Sequence, residues 1–418
     1  MSWIDHVLWW HVYPLGALGA PRENHGEPVV HRLAGLEPWL DYAVDLGANG
    51  LQLGPVFASS THGYDTLDHF RIDPRLGDDA DFDRLVEDCR ARGLRLLLDG
   101  VFNHVGADHP SYRRALAEGP AGELADLFAL DWSDPAAPRC ATFEGHADLV
   151  ELNHAAPRTA DLVAGVMDHW LDRGVDGWRL DAAYAVDPAF WARVLPRVRA
   201  GHPDALFVGE VIHGDYPDVV ARSGLDSVTQ YELWKAVWSS LHDRNLFELS
   251  WALERHNGFV ERFVPMTFVG NHDVTRIATL VGDAGAALAL VVLGTVGGMP
   301  SLYYGDEQAF RGVKTERVGG DDEIRPPLPA RPEELAEEGR WMYRVHQQVL
   351  GLRRRHPWLV RARTSVVSLA NERLVYRSRA ASGDGLLTVE LDLTGAARAV
   401  VRTDERVELT LDLGTLAR

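Results

Sequence analysis

Four stretches of this chain carry charge where apolar runs end. "LRLLLDGVFNH" holds Asp99, Asn103 and His104, "GVDGWRLDAAYAV" holds Arg179 and Asp181, "LFVGEVI" holds Glu210, and "PMTFVGNHD" holds Asn271, His272 and Asp273. Charge inside an apolar run is costly unless it is paired or used. Arg179 and Asp181 stand two positions apart, which on an extended strand puts both on one face. One such strand end reads as a structural ion pair, whereas four together read as a site. Asp181, Glu210 and Asp273, with one arginine and two histidines, suit two chemistries. A carboxylate pair cleaves an acetal when one member attacks the anomeric carbon and the other protonates the leaving oxygen. A nearby cation keeps the attacker ionised, and partial burial raises the pKa of the acid. The same groups could instead hold Mg²⁺, Mn²⁺ or Zn²⁺ for hydrolysis, although the chain has no HExxH and no cysteine pair.

These residues converge only if their strands share a sheet. Eight apolar runs, at 7–15, 50–57, 94–102, 174–183, 206–212, 227–233, 265–273 and 300–307, alternate with amphipathic helix patterns such as "TADLVAGVMDHWLDRG". That alternation predicts an α/β fold with a parallel sheet, and eight units predict a closed (β/α)8 TIM barrel, whose reactive face lies where the strands end. An open doubly wound sheet would want a glycine-rich phosphate loop after its first strand, and none is present. Two long insertions, after strand 3 and at about 308–336 after strand 8, should overhang the same face. From 357 the pattern changes to "TSVVSLANERLVYRSRA" and "GLLTVELDLTG", which predicts a small C-terminal antiparallel β domain. The expected division is therefore a catalytic barrel from 1–103 and 159–356, an insertion domain at 104–158, and a β domain at 357–418.

The 418 residues are 46% hydrophobic and 25% charged, enough for a large core. Sixty-one acidic against 42 basic side chains give a formal charge of −19, which argues against nucleic acid or an anionic membrane as partner. Two cysteines are too few for a disulfide framework, and Cys89 reads as a buried thiol on an amphipathic helix. The start "MSWIDHVLWWHVYPLG" has no signal-peptide pattern, and "AGAALALVVLGTVGG" is short and glycine-rich for a membrane span, so a cytoplasmic location is expected.

In sequence order, "DGVFNHVG" (99–106), "GWRLDAAYA" (177–185), "GEVI" (209–212) and "FVGNHD" (268–273) resemble the four signature regions of the α-amylase family of glycoside hydrolases (family 13). "HGYDTLDHFRIDPRLG" (62–77) and "GMPSLYYGDE" (298–307) match as well, so six motifs stand in register over about residues 7 to 356. The resemblance implies that Asp181 is the nucleophile, Glu210 the acid and base, and Asp273 the group that binds ring hydroxyls. It implies that Arg179 orients Asp181 in contact with Asp99, that His104 and His272 hydrogen-bond the sugar, and that Tyr64 stacks beneath it. It gives Asp65 two readings, a grip on the non-reducing end in exo-acting relatives or a loop cap. Asn103 matches a calcium-binding position of many α-amylases, so calcium is compatible with the sequence, although no cofactor is required and the insertion resembles theirs poorly. Trp9, Trp10, Trp132 and Trp234 read as core in preference to sugar platforms.

Three departures bear on specificity. Where ordinary α-amylases place Lys-His to form acceptor subsites, this chain has Tyr184 and Ala185, which speaks against a starch endo-amylase. Ala182, after the nucleophile, leans toward α-1,4 linkages. "VGGDDEIRPPLP" (318–329) looks like a segment of cyclomaltodextrinases, neopullulanases and exo-glucosidases and places Asp321 and Arg325 near the site rim, with Asp322 in place of a proline. The expected activity is that of a retaining α-glucoside hydrolase or transglycosidase on short α-linked gluco-oligosaccharides. The alternatives are a trehalose- or sucrose-acting isomerase or transferase of the same family, or a non-catalytic member, which the three carboxylates disfavour. The first strand starts almost at Met1, so the amino-terminal β domain by which cyclomaltodextrinases dimerise has no counterpart, and the oligomeric state is left open.

Overall fold

Eight parallel strands close on themselves in the computed structural model, which describes residues 3–26, 28–317 and 319–414. Residues 1–2 and 415–418, at the ends of two expected domains, and Val318, at the start of the 318–329 segment, lie outside the described residues. The barrel strands are β1 (Trp9–Val12), β2 (Gly50–Leu53), β3 (Arg95–Gly100), β4 (Gly177–Leu180), β5 (Leu206–Gly209), β6 (Ser227–Val228), β7 (Met266–Phe268) and β8 (Met299–Tyr303). Seven fall inside an expected run, and β8 begins one residue before its run, at Met299. Neighbours pair in parallel from β1 through β6, β8 pairs with both β1 and β7, and a parallel bridge from Thr229 to Met266 spans the remaining gap.

Side-chain alternation divides each strand between two environments. On β1, Trp10 points outward and stacks on Trp39 of the surrounding helices, with ring centroids 6.2 Å apart. Trp9 points inward and joins Leu97, Leu206, Val208, Met266 and Met299 in an apolar plug. Gly50 makes room for that indole, because a Cβ there would lie 2.4 Å from the Trp9 ring. Two residues further along the same inward rows come His11, Asp99 and Arg179, and beyond Val208 comes Glu210. The interior is therefore greasy at its amino end and charged at its carboxyl end.

The first insertion is a small unit with its own core of Val105, Ala115, Leu127, Phe128, Val150 and Leu152. It is rooted where His104–Gly106 pairs antiparallel with Leu149–Glu151, and the barrel resumes at helix Pro157–Asp172. The apolar helix Ile277–Thr295, long enough by composition to cross a membrane, is here a barrel helix with 67% of its apolar window buried. Behind it docks the C-terminal sheet, five antiparallel strands in sequential order from Arg363 to Asp412, with Tyr376 Oη 2.6 Å from Thr295 Oγ1.

Buried Arg276 pins the second insertion to the barrel. Its Nη1 donates to the Tyr304 carbonyl (2.6 Å) and Asp306 Oδ1 (3.0 Å), and its Nη2 donates to the Ile324 carbonyl (2.8 Å), one residue before Arg325. Removing one partner of a buried ion pair costs about 3–5 kcal/mol. Arg276→Ala is expected to lower the urea midpoint accordingly and to make 308–336 the first segment cut in limited proteolysis; an unchanged midpoint would contradict this anchoring role.

Candidate active site

Strand register delivers Arg179 directly beside Asp99, its Cα partner across β3 and β4. The guanidinium then serves three carboxylates at once. Nη1 donates to both Asp99 oxygens at 2.7 Å and to Asp181 Oδ1 at 2.9 Å, while Nη2 pairs with Glu210 Oε1 at 2.6 Å. All four groups are buried, with residue exposures of 1% for Asp99, 3% for Arg179, 7% for Asp181 and 6% for Glu210. Burial is the main force raising the pKa of Asp99 and of Asp181; Arg179 opposes it, and the neighbouring carboxylates add to it. One cation cannot neutralise three buried anions, so the cluster retains a proton at pH values where an isolated carboxylate has lost it.

Asp181 and Glu210 are held differently. Asp181 Oδ1 is bound by Arg179, and Oδ2 has no hydrogen-bond partner among the described residues. Glu210 Oε1 also accepts from the Tyr231 hydroxyl (3.1 Å), which in turn accepts from Asn271 Nδ2 (2.9 Å). Oε2 accepts from the Ala182 amide at 3.0 Å. Ala182 aims that amide by adopting a left-handed conformation, φ 46° and ψ 35°, uncommon for a residue with a Cβ. Strain of order 1 kcal/mol is thus stored between Asp181 and Glu210.

A third carboxylate sits on the other flank. Asp273 Oδ2 lies 3.0 Å from His272 Nε2, and Oδ1 accepts from Arg325 Nη2 at 3.0 Å. Burial pushes its pKa up, but His272, Arg325 and Arg179 outweigh burial and hold Asp273 well below the usual carboxylate range. Arg325 also donates from Nε to the His272 carbonyl (2.9 Å), pairs with Asp321 (3.1 Å) and lies 4.4 Å from the Tyr13 ring centroid. The rings of Tyr13 and Tyr64 are each within 6° of parallel to His272. The Tyr64 hydroxyl touches His272 Nε2 and donates to Asp99 Oδ2 at 3.0 Å. On this flank Tyr13, Thr61, His62, Asp321 and Arg325 line an open cavity of about 340 Å³.

The structure therefore brings together Asp99, Arg179, Asp181, Glu210, His272, Asp273, Tyr64, Asp321 and Arg325. His104 is buried under the Phe143 ring (4.6 Å) with Nε2 unpartnered, and burial lowers its pKa to about 3, so its imidazole is neutral. Asp65 is buried in its loop, where Oδ2 accepts from Thr61 Oγ1 at 2.7 Å and Oδ1 has no partner. Asn103 places Nδ2 3.2 Å from His104 Nδ1. Among the described residues no trio of acidic or imidazole ligands surrounds it, the one such cluster lying at His31, Asp78 and Asp81. Trp9 and Trp10 are wholly buried in core, and Trp234 stacks on Phe268. Sequence reasoning did not single out Tyr13 and Tyr231; both follow a barrel strand closely, the signal that would have found them. Glu144, which reaches Tyr184 from the insertion, carries no such signal.

Residues 30–359 match the family model described as "Alpha amylase, catalytic domain". The chain is similar to a cyclomaltodextrinase of Geobacillus thermopakistaniensis, at 28% identity over 99% of this chain and 71% of that enzyme. It is 30% identical to an intracellular maltogenic amylase of Bacillus subtilis over 74% of this chain, a match that spans only 57% of the Bacillus protein. Among solved structures, the ligand-free cyclic alpha-maltosyl-(1→6)-maltose hydrolase of Arthrobacter globiformis superposes with a TM-score of 0.80 at 24% identity, covering 94% of this chain and 92% of that one.

Two outcomes follow from the crowded charge. Asp181→Asn removes an anion from a cluster that has too many, so it should raise the thermal midpoint, by about 1–2 °C per ~1 kcal/mol in a chain of this size. It should also lower turnover by on the order of 10⁴-fold. A lower midpoint with intact secondary structure would contradict the charge count. Because burial raises the pKa of Asp181 and an attacking carboxylate must be ionised, activity should be low in acid and rise as pH increases through a pKa above the ordinary carboxylate range. A pH profile of kcat/KM checks that sign.

Proposed function

This chain belongs to the α-amylase family of glycoside hydrolases, and from that premise we propose that it cleaves short α-linked gluco-oligosaccharides, linear or cyclic, with retention of anomeric configuration. The observation that carries this reading is the single guanidinium that holds Asp181 and Glu210 side by side. Retaining enzymes need their two carboxyl groups only about 5–5.5 Å apart, with no intervening water slot. In the first step Asp181 Oδ2 attacks the anomeric carbon while Glu210 gives its proton to the departing glycosidic oxygen. In the second, Glu210 takes a proton from water or a sugar hydroxyl, which displaces Asp181. Asp273 and His272 bind ring hydroxyls, and Tyr64 supports the ring face.

The names of the similar cyclomaltodextrinase and maltogenic amylase support maltodextrin-like substrates, and the intracellular designation of the Bacillus protein supports a cytoplasmic setting.

Incubation with maltose, maltotriose, β-cyclodextrin, isomaltose, trehalose and sucrose should show cleavage of maltotriose and β-cyclodextrin. Early products followed by proton NMR should carry the α configuration; β products would overturn the mechanism. Glu210→Gln should cost about 10²–10⁴-fold on maltotriose and much less on a glycosyl fluoride, whose leaving group needs no proton. Equal losses on both would remove Glu210 from the acid role.

A further inference from the structure

We infer that a cavity of about 410 Å³ between the first insertion and the outside of the barrel is a binding site for a small uncharged phenol, an apolar ring that carries one hydroxyl. The inference is independent of the reaction proposed above. The strand Thr66–Ile72, the helix Pro110–Glu118 and the barrel helix Pro157–Asp172 contribute its walls, and no residue of the Arg179 cluster lines it. Its volume is that of an ordinary small-molecule site.

The lining is mostly apolar: Leu67, Phe70, Leu124, Leu127 and Leu162. Phe70 is 42% exposed, and its ring stands edge-on to His169 with centroids 5.5 Å apart. A flat ring in the cavity would cover these groups and remove apolar surface from water. Two further lining residues, His69 and His109, supply the polarity, with ring centroids 6.4 Å apart. Burial lowers the pKa of both, that of His109 to about 3, so each ring is neutral at pH 7.

Their neighbours fix which nitrogen of each ring holds the hydrogen. His69 Nε2 donates to the Val101 carbonyl at 2.8 Å, so its Nδ1 keeps a lone pair. His109 Nδ1 accepts from the Ser111 amide at 3.2 Å, so its Nε2 carries the hydrogen. Neither His69 Nδ1 nor His109 Nε2 has a hydrogen-bond partner among the described residues. A hydroxyl set between the rings accepts from His109 and donates to His69, in two bonds of about 2.8 Å.

The same count disfavours other ligands. A sugar brings more hydroxyls than two nitrogens can satisfy, and the rest would be buried against leucine. An anion finds no free cation, because the Arg158 guanidinium at this site is paired with Asp126 at 2.7 Å. Asp68, the other charged lining residue, accepts from the Phe70 amide at 2.9 Å.

Calorimetric titration of the full chain with phenol should give saturable one-to-one binding in the millimolar range. Anisole keeps the ring and the oxygen but has no proton to donate, and it should bind about tenfold more weakly. Ser111→Trp, at a half-buried position that keeps its amide for His109, should fill the cavity and abolish phenol binding. His109→Phe keeps a ring but loses the donor, and should weaken phenol about tenfold. Circular dichroism establishes that both variants are folded. Equal phenol affinity in the wild type and both variants, displacement of phenol by maltotriose, or no saturation by ~10 mM would each overturn the site. Tighter binding of benzoate or glucose than of phenol would overturn the ligand class.

Discussion

One arginine side chain fixes the geometry of this site. Arg179 meets Asp99, Asp181 and Glu210 with the nitrogens of a single planar guanidinium. Planarity makes the arrangement rigid, because the positions of the two terminal nitrogens are set by covalent structure and each carboxylate must come to them. The arrangement is also frustrated, since the cation is outnumbered. A cluster of three buried carboxylates around one cation is poor for stability and well suited to acid–base work, where one group must stay ionised while its neighbour holds a proton. Asp99, the most buried of the three, shares Nη1 with the nucleophile, so the charge that Asp181 needs is divided before a substrate arrives.

Such a cluster survives only on a rigid support. The parallel ladder on both sides of β4 sets where Arg179 stands, and the apolar plug below it keeps water out of the barrel. The gradient from Trp9 and Leu97 to His11 and Asp99 takes two residues on each strand. That spacing is the mechanical meaning of charges at strand ends: the amino-terminal half of each strand supplies packing, and the carboxyl-terminal half spends some of that stability on function.

Much of this was legible because period and position are local properties. The eight strands follow from apolar runs at helix-length intervals, and the meeting of Asp99, Arg179, Asp181, Glu210 and Asp273 follows once the barrel closes. The C-terminal sheet follows from simple alternation. What was not legible depends on contacts between segments distant in sequence. Glu144 reaches Tyr184 across 40 residues, and the insertion that carries it has no period to constrain its path. Tyr231 lies in the expected strand run 227–233, whereas the structure starts a helix there and sets its hydroxyl on Glu210. Asp65 had two readings in its motif, a grip on sugar or a loop cap, and its carboxylate accepts from Thr61 within its own loop.

The two flanks of the cleft are built on different principles, and that difference has a physical reason. On the Asp273 side Arg325 bonds a carbonyl and two carboxylates while packing on Tyr13, and Arg276 locks the preceding residue to the barrel. Charge pairing of this density makes that flank rigid and preformed. The Glu210 side is held more lightly. There the chain uses a single hydrogen bond between an exposed carboxylate and a tyrosine, closing a turn that is strained. A contact worth roughly 1 kcal/mol, set against a left-handed residue that costs about as much, stays close to balance. A flank so close to balance can shift while Arg179 stays anchored by the parallel ladders on both sides of its strand.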